Sequence, residues 1–172
     1  MLTLKCTKIV QDLLGLKPSG LIAEQETSGM FGAWYVNQFG VDRKKAVIFM
    51  SETTLVSFVY VGVKKADCTK EKFPLIFLDG LFRFLRLEDF SPEEISLVMD
   101  DCYSWQYAKT SSKSVLGNMN ELVWHYQHVL GPEGEGENLD EIHGQINRIP
   151  QRNIGFRNSV EAAKAVVRST AT

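Results

Sequence analysis

The chain has 172 residues, of which 44% are apolar and 23% charged, with a formal net charge of −2. A chain of that length fits one domain burying roughly 70% of its unfolded surface, and the balanced composition excludes a disordered or fibrous class. The small negative charge excludes whole-molecule attraction to phosphate or to an anionic membrane, so any such binding must come from a local patch.

Three cysteines, Cys6, Cys68 and Cys102, lack C-x-x-C spacing and are odd in number. This fits reduced thiols and a cytoplasmic location better than a disulfide framework. The first residues lack the basic-then-apolar pattern of a secretory signal, and no apolar run approaches ~20 residues, so neither export nor a membrane span is expected.

In chain order, Leu2, Leu4 and Cys6 alternate with Thr3 and Lys5, which predicts a strand with one buried face. From Thr7, Ile9, Val10, Leu13 and Leu14 follow at helical spacing until Gly15. The segment 17–32, with Pro18, Gly20, Ser28 and Gly29, reads as a long surface loop. Trp34-Tyr35-Val36, Ala46 to Met50 and Leu55 to Val61 are β-branched and aromatic runs separated by short polar connections, which predicts three antiparallel strands. The second is nearly all apolar and should be central, covered on both faces.

Phe73, Ile76, Phe77, Leu81, Phe82 and Leu85 predict a helix over Pro74–Leu87, with proline suited to its first turn. Ser91-Pro92-Glu93-Glu94 is a capping box opening a second helix that carries Ile95, Val98 and Met99. Ser104 to Ala108 reads as a further strand at a sheet edge. The longest helix should run from Lys113 to about Leu130, with Val115, Leu116, Met119, Leu122, Val123, Tyr126 and Leu130 as the stripe that covers the sheet. Residues 131–138 form an acidic glycine-rich linker. Beyond it, 139–158 is weakly patterned and Ser159 to Arg168 is a short helix. The expected organisation is an α+β core domain over 1–130, with an antiparallel sheet of about four to five strands and helices packed on it, the linker over 131–138, and a C-terminal extension over 139–172.

Several residue groups carry chemical possibilities. Glu121, His125 and His128 share one face of the long helix, with His143 as a conceivable fourth metal ligand. Such spacing is also common on solvated helices and the H-E-x-x-H arrangement is missing, so no metal and no cofactor is expected. No cysteine has an adjacent histidine, and no G-x-S-x-G elbow, Walker loop or G-x-G-x-x-G loop occurs. At the start of the long helix, Ser111, Ser112, Lys113 and Ser114 bring hydroxyls, an ammonium and free amides together, which suits an anion such as phosphate, although ordinary capping by Ser112 or Ser114 is the favoured reading. Gly117 lowers helix propensity by about 1 kcal/mol and hints at close approach of a neighbour or ligand. Asn120, if turned inward, needs a hydrogen-bond partner. Arg43-Lys44-Lys45 and the group Arg148, Arg152, Arg157, Lys164 and Arg168, with Trp34, Tyr35 and Phe156, outline a nucleic-acid surface; a solvated turn and a basic tail are the favoured reading.

Leu4-Lys5-Cys6-Thr7-Lys8, Trp34-Tyr35-Val36-Asn37, Arg43 to Phe49, Ser114 to Asn120 and Asn147-Arg148-Ile149-Pro150 together resemble a family of small bacterial and phage proteins known only as a domain of unknown function. The resemblance implies a compact α/β domain and assigns no activity. The expectation is therefore a non-enzymatic binding or regulatory protein, associated with phage or mobile elements, whose partner is a protein or a phosphate-bearing ligand. The alternative is an enzyme acting on a phosphate-bearing nucleotide or nucleic acid, with Lys113 and Ser114 on the anion, Asn37 and Asn120 orienting it, and His125 as acid or base. The candidate binding residues are Trp34, Asn37, Arg43, Lys113, Ser114, Asn120 and Arg148.

Overall fold

A computed structural model of the chain describes residues 1–23, 29–131 and 138–171. Within them, strands β1 (Leu2–Cys6), β2 (Trp34–Val41), β3 (Lys44–Ser51), β4 (Ser57–Val61) and β5 (Trp105–Lys109) form one sheet in the order β4-β3-β2-β1-β5. The helices are α1 (Lys8–Leu13), α2 (Phe73–Leu87), α3 (Pro92–Asp101), α4 (Lys113–Val129), α5 (Leu139–Ile146) and α6 (Ser159–Thr170). Residues 132–137 of the expected linker lie outside the described residues, as do 24–28 of the expected loop.

The sheet is mixed, which corrects the antiparallel expectation. β2, β3 and β4 are antiparallel neighbours, with Trp34 opposite Ser51 and Phe49 opposite Phe58. β1, however, runs parallel to both β2 and β5. The physical reason is the connection: β1 leaves through α1 and returns into β2 by a crossover, which restores the strand direction, whereas two-residue turns reverse it.

Alternation along the strands divides the core between the two faces. Leu4, Cys6, Trp34, Val36, Val47, Phe49 and Phe58 face α1, α2, α3 and α6, while Tyr35, Ile48, Met50 and Val59 face α4 and α5. β3 is buried on both faces because both of its residue sets are apolar, Val47 and Phe49 against Ala46, Ile48 and Met50. The capping box at Ser91 and Glu94 is formed. The stripe on α4 packs where its spacing places it, with Met119, Leu122 and Tyr126 buried. The weakly patterned segment after residue 138 contains α5, whose Ile142 and Ile146 enter the core under α4, and α6 adds Val160, Ala163 and Val167 to the opposite face.

The α2 face is aromatic. Trp34 meets Phe77 at 4.9 Å, and Phe49 meets Phe58 and Phe77 at 5.5 Å. Offset and edge contacts of this kind each add about 0.5–1.5 kcal/mol beyond burial. Gly80 admits α2 to that cluster: a Cβ there would stand 2.5 Å from the Phe58 ring. The ring is in contact with Trp34, Phe49 and Phe77, so moving it away from a new methyl group disturbs those contacts. Gly80→Ala is therefore expected to destabilise by about 2 kcal/mol in urea unfolding, overpacking outweighing the helix propensity gained. An unchanged or raised midpoint would contradict this packing.

Candidate functional site

The topology leaves a crevice at one place. β1 and β5 are parallel neighbours, but the chain leaves β1 for α1 on one face and leaves β5 for α4 on the other. Adjacent parallel strands whose continuations diverge leave a gap outside their carboxyl ends, the usual ligand position in open sheets. On the α4 face, α4 and α5 cover β2, β3 and β4. Beside β5, at the edge of the sheet, runs the segment Pro18–Ala23, held where Ile22 N donates to Tyr107 O at 2.9 Å. Between them is a cavity of about 420 Å³ with Thr3, Lys5, Ala108 and Ser111 on its floor and Pro18, Leu21 and Ile22 on its wall.

The strand register builds the floor. Thr3 and Lys5 point away from the Leu2, Leu4 and Cys6 face, and Lys5 lies between Tyr35 on β2 and Ala108 on β5. The Lys5 side chain is only 8% exposed, and its Nζ reaches Glu52 Oε2 at 3.1 Å. Glu52 follows the end of β3, where its other oxygen accepts from Ala33 N at 2.9 Å. Lys5 Nζ also donates to Ser111 Oγ at 3.3 Å and stands 5.4 Å above the Tyr35 ring. A charge so deeply placed persists only when paired and hydrogen-bonded. The Tyr35 hydroxyl in turn accepts from Ser111 N and Ser112 N, at 3.4 and 3.1 Å.

Sequence reasoning placed its candidates elsewhere. Trp34 is a core residue against Phe31, Phe58 and Phe77. Asn37 Oδ1 accepts from the Thr7 hydroxyl at 2.9 Å, tying β2 to the start of α1. Arg43 is exposed in the turn between β2 and β3. Lys113 and Ser114 are exposed in the first turn of α4, whose cap is Ser112, accepting from Val115 N at 3.2 Å. Asn120 is exposed rather than turned inward, and nothing lies within 4 Å of where a Gly117 Cβ would be, so neither meets a neighbour. Arg148 pairs with Glu88, Nη1 to Oε1 at 2.9 Å and Nη2 to Oε2 at 2.5 Å. These residues thus lead to the aromatic core, the β2–β3 turn, the surface of α4 and the end of α5, and only the start of α4 adjoins the crevice, through Ser111.

His143 also lies apart from the two histidines of α4. Trp124 lies edge-on to His125 and stacks on His128 at 5.6 Å, while His143 Nε2 accepts from Val59 N at 3.0 Å. Burial pushes the Cys6 and Cys102 thiols up to about 12, so both stay protonated at neutral pH. The sequence reading places Ser111 in the anion group at the start of α4 and Tyr35 beside the basic clusters; the residues that it misses are Lys5 and Glu52. The available signal was a lysine inside a strand whose neighbours on both sides are apolar.

A family model described as a domain of unknown function (DUF6933) matches residues 3–163, from β1 into α6, and the chain belongs to that family. No curated protein matches the chain.

Proposed function

We propose that this member of the DUF6933 family is a binding protein for a small molecule, held in the crevice at the carboxyl ends of β1 and β5. The observation that carries the reading is Lys5: a lysine buried in a parallel strand, fixed by Glu52 and Ser111, on the floor of a cavity of about 420 Å³. That volume lies within the ~300–1,000 Å³ of ordinary small-ligand sites, and the mixture of an apolar wall with a few fixed polar groups is the pattern such sites share. The described lining supplies an ammonium, hydroxyls and alkyl groups. Those groups retain a ligand; a proton-transfer step would call for a base among them. Binding without turnover is therefore the favoured function, with a regulatory role following from occupancy.

Protein-observed NMR with a mixed fragment library tests this. Hits should perturb the amide signals of Lys5 and Ser111, and Ala23→Trp, which places an indole at the exposed rim of the cavity, should abolish them while leaving the unfolding midpoint within a few degrees. A library without hits at these residues, or hits indifferent to Ala23→Trp, would overturn the proposal.

A further inference from the structure

The polarity of the cavity floor is set by the hydrogen bonds behind it. The Tyr35 hydroxyl oxygen accepts two backbone amides, from Ser111 and Ser112, which occupies both its lone pairs. Its own hydrogen then goes to Ser111 Oγ, 3.3 Å away. Lys5 has only donors, so its contact at 3.3 Å also donates to Ser111 Oγ. Ser111 Oγ thus accepts twice, and its own hydrogen remains for the cavity that it lines. Lys5 places two N–H groups on Glu52 and Ser111, leaving the third. Thr3 Oγ1 accepts from Gln106 Nε2 at 2.9 Å, and its hydroxyl hydrogen is likewise left over.

From this directionality, and resting on the binding reading above, we propose that the ligand is a small organic oxyanion, a carboxylate or a phosphate monoester. Its oxygens accept from Lys5, Ser111 and Thr3, and its apolar body lies against Pro18, Leu21 and Ile22. The charge of Glu52 is balanced by Lys5, and its two oxygens accept from Lys5 and the Ala33 amide. A neutral amide head would bring its own N–H groups against a floor already full of donors, and an ammonium head would add like charge to Lys5.

The test uses four probes on the full chain: benzoate, phenyl phosphate, benzamide and benzylammonium, titrated by calorimetry with amide shifts to locate them. One or both acids should bind at Thr3, Lys5 and Ser111, the tighter one telling carboxylate from phosphate. Benzamide should bind about tenfold more weakly and benzylammonium not measurably, since a tenfold ratio corresponds to about 1.4 kcal/mol, the scale of a charge-assisted hydrogen bond. Ser111→Ala and Thr3→Val should each weaken the better acid about five- to tenfold. The second variant touches neither Tyr35 nor Lys5 and so covers the case in which the first disturbs the network. Benzamide or benzylammonium binding as tightly as the acids would overturn the oxyanion assignment and leave the binding reading intact. So would acid binding that neither variant weakens, or four silent probes beside fragments that still bind. Silence of probes and fragments alike would overturn both proposals.

Discussion

Asn147→Ala is expected to destabilise the protein by about 3 kcal/mol, with an unchanged denaturant slope in urea unfolding. β4 is an edge strand, and its outward backbone groups would be open to pairing with another chain. Asn147, 1% exposed at the end of α5, closes that edge in the manner of a neighbouring strand. Its Oδ1 accepts from Ser57 N at 2.9 Å and its Nδ2 donates to Ser57 O at 2.7 Å. Truncation leaves a buried amide and a buried carbonyl, each costing ~1–3 kcal/mol when unsatisfied. The carbonyl keeps the Tyr126 hydroxyl, at 3.1 Å, so the loss falls in the lower half of the summed range. Asn147→Asp should cost as much, because it keeps the acceptor for Ser57 N but turns an anionic oxygen toward Ser57 O. A cost below ~1 kcal/mol for either variant would mean that water replaces the side chain and that α5 does not seal the edge.

The same clasp shows what was legible in the sequence. Asn147 stands out only as part of a short Asn-Arg-x-Pro element, Arg148 also as one of the basic residues of the C-terminal segment, and of the two the arginine is the candidate for binding. In the fold the arginine answers Glu88 and the asparagine holds the sheet edge. Neither role can be read locally, since the partners lie 60 and 90 positions away. Local signals fared better. The all-apolar run of β3 announces burial on both faces, the α4 stripe needs only the helical period, and the Ser91–Glu94 box acts within one turn. β1 is the instructive failure. Its alternation of Leu2, Leu4 and Cys6 with Thr3 and Lys5 reads as half-exposed, yet every residue of the strand is buried. Its second face is closed by Glu52 and Ser111 against Lys5 and by Gln106 against Thr3, between 47 and 106 positions later, and nothing local discloses them. Gly117 and Asn120 erred in the other direction: low helix propensity on an exposed face needs no neighbour to explain it.

One turn before Asn147 on the same helix, His143 makes the clasp sensitive to acid. Val59 N donates to its Nε2 at 3.0 Å, so the ring is neutral with its hydrogen on Nδ1, and a proton on Nε2 would have to displace the strand amide. Burial lowers the His143 pKa to about 4; among the charges around it, Arg83 from α2 acts in the same direction and Asp140 on α5 opposes it. Asp79 from α2 shares the cavity beside the ring, and Tyr126 from α4 lies edge-on at 6.0 Å. The unfolded chain takes up this proton near pH 6.5, the folded chain only near 4. Stability is therefore fully present above about pH 6.5, falls as the pH drops between those values, and levels once the folded form also protonates. The interval corresponds to about 3 kcal/mol. Carboxylates titrate over part of the same range, so the measurement is a difference: urea unfolding of the wild type and of His143→Gln from pH 7.5 to 3.5. The variant retains a neutral acceptor that does not titrate, and the wild type should lose about 3 kcal/mol more than the variant between pH 6.5 and 4. Parallel losses in the two proteins would show that protonation of His143 carries no cost to the fold and would overturn this assignment. A wild type that instead gained stability relative to the variant on acidification would place the ring in the charged form in the folded state, with Asp140 prevailing over burial.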